Sequence, residues 1–132
     1  MEYEYPLRTG RECFVNITSQ VREAVKKSGV TEGLALVYCP HTTAAITINE
    51  NADPDVVQDL LFALDATFPD RPQFRHREGN SAAHLKSSCI GCSVTVPVSQ
   101  GSLSLGIWQG IYFCEFDGPR SRRFYVKVLE GS

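Results

Sequence analysis

The second half of the chain is a succession of short segments whose apolar residues recur at every second position, and this period limits the possible folds more than any other feature. Ser93 to Val98 alternates, Gln100-Gly101 supplies a turn, and Leu103 to Ile107 and Gly110 to Phe116 read as strands. Asp117-Gly118-Pro119-Arg120 turns the chain again, and Arg123 to Leu129 follows with Phe124, Val126 and Val128 on one face. A pleated strand gathers such residues on one side, whereas a helix would scatter them. The first half carries similar segments at Glu2 to Tyr5, Cys13 to Ile17, Leu34 to Tyr38 and Ala44 to Ile48.

Two helices interrupt this pattern. Ser19 to Ser28 has an apolar stripe of Val21, Ala24 and Val25, with Thr18 or Ser19 available as a cap and Gly29 as its stop. Asp53-Pro54-Asp55 is a stronger start, with a capping carboxylate, proline at the first helical position and a second carboxylate near the positive end of the dipole. Val57, Leu60, Leu61 and Leu64 then form one face, and Phe68-Pro69 closes the helix. Asp70 to Asn80 reads as a polar surface loop, and Ser81 to Ser88 as one or two helical turns. Two main helices against about eight strands predict a β-rich α+β domain, a largely antiparallel sheet or sandwich. At 132 residues, positions 1–132 form one domain with no internal repeat.

Charge and cysteine content narrow the setting. The formal charge is −2, which argues against a nucleic-acid partner. No apolar run approaches the roughly 20 residues of a membrane span. The odd count of five cysteines and the lack of a signal peptide suit a reducing, cytoplasmic setting. Cys89-Ile90-Gly91-Cys92 has no second pair to complete a zinc site, and it reads as small buried residues at a turn into a strand.

Three histidines lie in three polar settings: Pro40-His41-Thr42-Thr43, Arg75-His76-Arg77-Glu78-Gly79-Asn80, and Ala83-His84-Leu85-Lys86. Imidazole is the commonest zinc ligand and the usual acid or base near neutral pH. If the fold joins His41, His76 and His84, they make a divalent-metal site for Zn or Mg, or an acid–base cluster. Glu50 and Glu78 are placed to complete or orient such a cluster, with Asn51 and Asn80 beside them, while Asp53 is more simply the helix cap. Lys86 and Arg120 are candidates to neutralise phosphate, as are Arg122 and Arg123 on the same turn and strand. Trp108 and Gln109 suit a flat heterocycle, although a core tryptophan explains them equally well.

Three long stretches resemble the YjbQ-like family, described as secondary thiamine-phosphate synthases. They are His41 to Pro54, Glu78 to Ser88, and Gly101 to Gly118 with Leu105-Gly106-Ile107-Trp108-Gln109-Gly110-Ile111. Ile107 stands where a threonine is common, and Ser81 where glycine is frequent. The resemblance implies a compact β-rich α+β fold and a homotrimer or larger homo-oligomer. It also implies a transferase that joins a pyrimidine methyl pyrophosphate to a thiazole phosphate, releasing pyrophosphate. Two other classes fit the same residues. One is a metal-dependent hydrolase using an open coordination position, and the other is a non-catalytic binding protein for a small phosphorylated metabolite.

Overall fold

The computed structural model describes residues 1–131. Eight strands and three helices follow in the order β1 (Glu2–Arg8), β2 (Cys13–Asn16), α1 (Thr18–Ser28), β3 (Gly33–Tyr38), β4 (Ala44–Glu50), α2 (Pro54–Thr67), α3 (Ser81–Ile90), β5 (Ser93–Ser99), β6 (Ser102–Leu103), β7 (Gln109–Glu115) and β8 (Ser121–Glu130). They build two antiparallel sheets, one ordered β1-β8-β3-β5-β6 and the other β2-β7-β4. The α+β architecture of the sequence analysis holds, with two differences. The turns at Ser81 grow into a ten-residue helix, α3. The strand expected from Leu103 to Ile107 shrinks to β6, because the chain turns at Gly106, where Gln109 Oε1 accepts from the Gly106 N–H at 2.7 Å.

The main core lies between the sheets. Ala35 and Val37 from β3 and Phe124, Val126 and Val128 from β8 meet Ile46, Ile111 and Phe113 from the other sheet. Val21, Ala24 and Val25 of α1 close one end. Burying one such side chain contributes roughly 1.5–3 kcal/mol. The opposite face of the small sheet carries Ala45, Tyr112, Cys114 and Phe116 under α3, with Val57 and Leu64 of α2 against them. Strand β7 is therefore buried on both faces, which is why Gly110 to Cys114 reads as an unbroken apolar run rather than an alternating one.

Helix termini follow the chemistry of their residues. The Asp53 side chain accepts from the Asp55 N–H at 2.9 Å and caps α2, and Gly29 adopts the left-handed conformation that ends α1. The start of α1 differs from expectation. Neither Thr18 nor Ser19 caps it; instead Asn16 Oδ1 accepts from both the N–H and the hydroxyl of Thr18. Cys39 and Cys114 are buried, but Cys89 and Cys92 are exposed, contrary to the buried role expected of them. Cys89 lies at the end of α3 and Cys92 just before β5, an open corner at which neither side chain is covered. Among the described residues, no helix is long and apolar enough to cross a membrane.

Candidate functional site

His41 stands on the connection between β3 and β4. This connection is pinned by the Cys39 N–H donating to the Cys92 carbonyl at 2.8 Å and the Phe116 N–H donating to the Thr43 carbonyl at 3.2 Å. His41 Nε2 lies 3.1 Å from both the backbone nitrogen and the carbonyl oxygen of Arg123, so the neighbouring strand fixes the ring. Its edge meets the Phe113 ring, with centroids 6.3 Å apart. Burial, then the nearby Arg122 charge, hold its pKa below the ordinary histidine value, so the imidazole stays neutral near pH 7.

His76 and His84 arrive from the loop before α3 and from its first turns. The Gly79 N–H donates to the His76 carbonyl at 3.1 Å in a turn that needs the positive φ of 75° at Gly79. The hydroxyl of Ser87 donates to the Ala44 carbonyl at 2.7 Å and ties α3 to the start of β4. His84 sits one turn earlier on the same face of the helix, so the docking of Ser87 brings His84 toward the His41 loop. The rings of His76 and His84 meet edge to face, with centroids 5.2 Å apart. Glu78 Oε1 lies 3.8 Å from His76 Nε2.

All three histidines border one cavity of about 380 Å³, which Glu78, Arg120 and Arg122 also line. A second cavity of about 450 Å³ adjoins it and shares His41, Thr42 and His84. Ser87, Ser88 and Cys92 line that second lobe. Of the residues singled out in the sequence, His41, His76, Glu78, Asn80, His84 and Arg120 line the first lobe. Among the described residues, no three His, Cys, Asp or Glu side chains are arranged to hold a metal ion. The reason is local. The rings of His76 and His84 meet edge to face instead of sharing a focus, and Nε2 of His41 is engaged with the Arg123 backbone.

Other candidates lie elsewhere. Lys86 is buried, 2% exposed, and donates to Glu12 and Asp65 at 3.1 Å each in a separate cavity behind α3. Asn80 borders both cavities and donates to Asp117 at 2.8 Å. Glu50, Asn51, Trp108 and Gln109 gather at the far end of the small sheet, where Glu50 pairs with Gln109 and the Asn51 N–H donates to the Trp108 carbonyl. The length of β4 separates this group from His41 by roughly 20 Å. Trp108 is 61% exposed, so it is neither a core residue nor a wall of the histidine cleft within one chain.

A buried ion pair at the cleft was not foreseen. Glu115, wholly buried in β7, accepts from Arg122 Nε at 2.7 Å and from Arg122 Nη2. Thr9 Oγ1 and the Asp117 N–H complete its shell at 2.6 and 2.9 Å. Burial alone pushes the Glu115 pKa up, but these hydrogen bonds outweigh it and hold the carboxyl below its ordinary value. The sequence did carry a signal. Arg122 shares the parity of Phe124, Val126 and Val128, so a period-two strand turns it inward with them.

A model of the family described as UPF0047 protein YjbQ-like matches residues 3–131. This chain belongs to that family. It is 55% identical over 122 residues to the UPF0047 protein YugU of Bacillus subtilis, covering 92% of each. It is 51% identical over 130 residues to the UPF0047 protein MJ1081 of Methanocaldococcus jannaschii, covering 98% of this chain and 94% of that one. Among solved structures, a YjbQ/UPF0047 family protein from Clostridium acetobutylicum superposes with a TM-score of 0.94 at 54% identity, covering 96% and 99% of the two chains. A YbjQ-like protein from Sulfolobus solfataricus gives a TM-score of 0.95 at 32% identity, covering 99% and 97%. The YjbQ-like fold is thus kept where two thirds of the residues differ, as expected when period and core volume specify it.

Proposed function

We propose that the histidine cleft binds phosphorylated metabolites and transfers between them, in a reaction of the thiamine-phosphate synthase type. The observation that carries this reading is the pair of adjoining cavities that share His41, Thr42 and His84. A reaction that joins two substrates needs two lobes meeting at one wall of acid–base groups. In this reading a pyrimidine methyl pyrophosphate lies with its phosphates toward Arg120 and Arg122, and the thiazole phosphate occupies the lobe of Ser87 and Ser88. The carbon–oxygen bond to pyrophosphate breaks, the thiazole nitrogen supplies the electron pair for the new carbon–nitrogen bond, and pyrophosphate leaves. Neutral His41 and its partners His76 and His84 donate hydrogen bonds to the departing phosphate. Charge neutralisation of the leaving group is the main demand of such a step. A divalent cation enters with the pyrophosphate it neutralises rather than as a resident of three imidazoles. Phosphorylated metabolites do not cross membranes unaided, so the setting is cytoplasmic.

The reading includes a homotrimer or larger homo-oligomer. Phe62 on α2, with Ile107 and Trp108 beyond β6, expose large apolar surfaces, and α2 has no fully buried residue. Such surfaces mark protein contacts. In an oligomer, Glu50, Asn51, Trp108 and Gln109 lie in a position to reach a neighbouring copy's cleft.

The test is incubation of the purified protein with the two thiamine precursors and Mg²⁺, with product followed by chromatography. Thiamine phosphate formed by the wild type and lost in His41→Ala and His84→Ala supports the reading. Release of inorganic phosphate or alcohol from simple phosphate esters, without condensation, favours a hydrolase; binding without turnover favours a sequestering protein.

A further inference from the structure

We propose that Arg122 is the anion anchor of the cleft, receiving a phosphoryl oxygen at Nη1 of a guanidinium that Glu115 holds in place. This rests on the reading of the cleft as a site for phosphorylated metabolites, and it names the group that recognises them. A guanidinium has five N–H donors in a fixed fork. Three are committed: Nε to Glu115 Oε1 at 2.7 Å, and Nη2 to Glu115 Oε2 and to Thr43 Oγ1, the latter at 2.8 Å. Among the described residues the two hydrogens of Nη1 have no protein acceptor, and Nη1 is not among the sealed, unpartnered polar atoms of the interior. Arg122 is 7% exposed, yet it borders the cavity of the three histidines. The small open fraction of this side chain therefore belongs to the cleft.

The surroundings suit an anchor rather than a structural strut. Both Glu115 oxygens are saturated, by Thr9, the Asp117 N–H and two Arg122 nitrogens, so the carboxylate has no lone pair left to draw Nη1 inward. Thr43 lies two residues after His41, so the same contact that fixes the guanidinium also fixes the histidine loop. A buried ion pair contributes little net stability compared with apolar residues of similar volume. The bidentate edge of the guanidinium is spent on Glu115, and Nη1 remains at the cavity wall as a charged donor for a phosphoryl oxygen. Arg120 lies on the same wall but is exposed, and it is held by Asp117 through Nη2 at 2.9 Å. Arg122 is thus the preorganised group, and Arg120 the adaptable one.

The test is calorimetric titration of the full chain with inorganic pyrophosphate, comparing the wild type with a Glu115→Gln/Arg122→Met double variant. The double change keeps volume and removes both charges, so a thermal melt close to that of the wild type is expected. With the fold intact, pyrophosphate affinity should fall by about tenfold or more. Should the double variant fail to fold, Arg122→Lys keeps the charge and loses the fork, and at least about a fivefold loss is expected. Wild type that binds while these variants bind equally well overturns the Arg122 assignment and leaves the phosphate reading standing. Wild type that binds neither pyrophosphate nor phosphate at millimolar concentration removes the phosphate reading and the anchor with it.

Discussion

The rings of His84 and His76 meet edge to face at 5.2 Å between centroids, across the turn that Gly79 makes possible. One ring belongs to α3 and the other to the loop before it, so the wall they form depends on the docking of that helix on β4 through Ser87. Replacing His84 by alanine removes half of this wall and leaves the helix, where alanine is the better former. The change should lower any condensation rate by about a hundredfold, with thermal stability nearly unchanged. Product formation and a melting curve on the same preparation check both parts. A large loss of stability would instead mark His84 as a packing residue.

Removing one partner of the Glu115–Arg122 pair has a different signature from removing both. Glu115→Gln leaves a buried guanidinium without its counter-charge, and unfolding free energy should drop by about 3–5 kcal/mol. The Glu115→Gln/Arg122→Met variant should recover most of that loss. Urea denaturation of the single and double variants measures the difference, and equal losses in both would show that the pair is not the unit of stability.

Stability should fall in acid in two stages. His41 has a folded pKa below its unfolded value, so the unfolded chain takes up the proton first. Unfolding free energy therefore decreases as pH falls through about 6.5 and levels off below the folded pKa. Glu115 is also held below its ordinary value, so its contribution is present above the unfolded carboxylate pKa and is lost as pH falls through the folded one. Urea midpoints from pH 8 down to about pH 2 should show both declines. His41→Gln should remove the first and leave the second.

The far end of the small sheet should report on assembly. Trp108 is 61% exposed and Phe62 76%, and both are expected at contacts between copies. Trp108→Asp and Phe62→Asp should shift the sedimentation coefficient toward that of a single 14.6 kDa chain. Tryptophan fluorescence gives an independent reading, since a buried Trp108 in the wild-type assembly emits further to the blue than in the dissociated variant. A wild type that sediments as a monomer at all concentrations would refute this assignment.

Period and turn chemistry made the elements legible along the chain. The alternation of Phe124, Val126 and Val128 defined β8, and Asp53-Pro54 fixed the start of α2 to the residue. The long stretches around His41, Glu78 and Trp108 carried the family resemblance. These are local properties, set by φ and ψ preference and by side-chain spacing.

What only the tertiary structure decided was which of these stretches meet. His41, His76 and His84 come together because Ser87 docks α3 on β4, a contact between residues 43 positions apart. Lys86 is two residues from His84, yet the helix turns it to the opposite side, into the carboxylates of Glu12 and Asp65. Glu50 lies in the same stretch as His41, but strand length carries it to the far end of the sheet beside Trp108 and Gln109. The pairing of Glu115 with Arg122 joins two strands of different sheets, and its partners Thr9 and Thr43 come from two further segments. Such convergence is set by packing and by the need to satisfy buried charge, neither of which leaves a periodic trace along the chain.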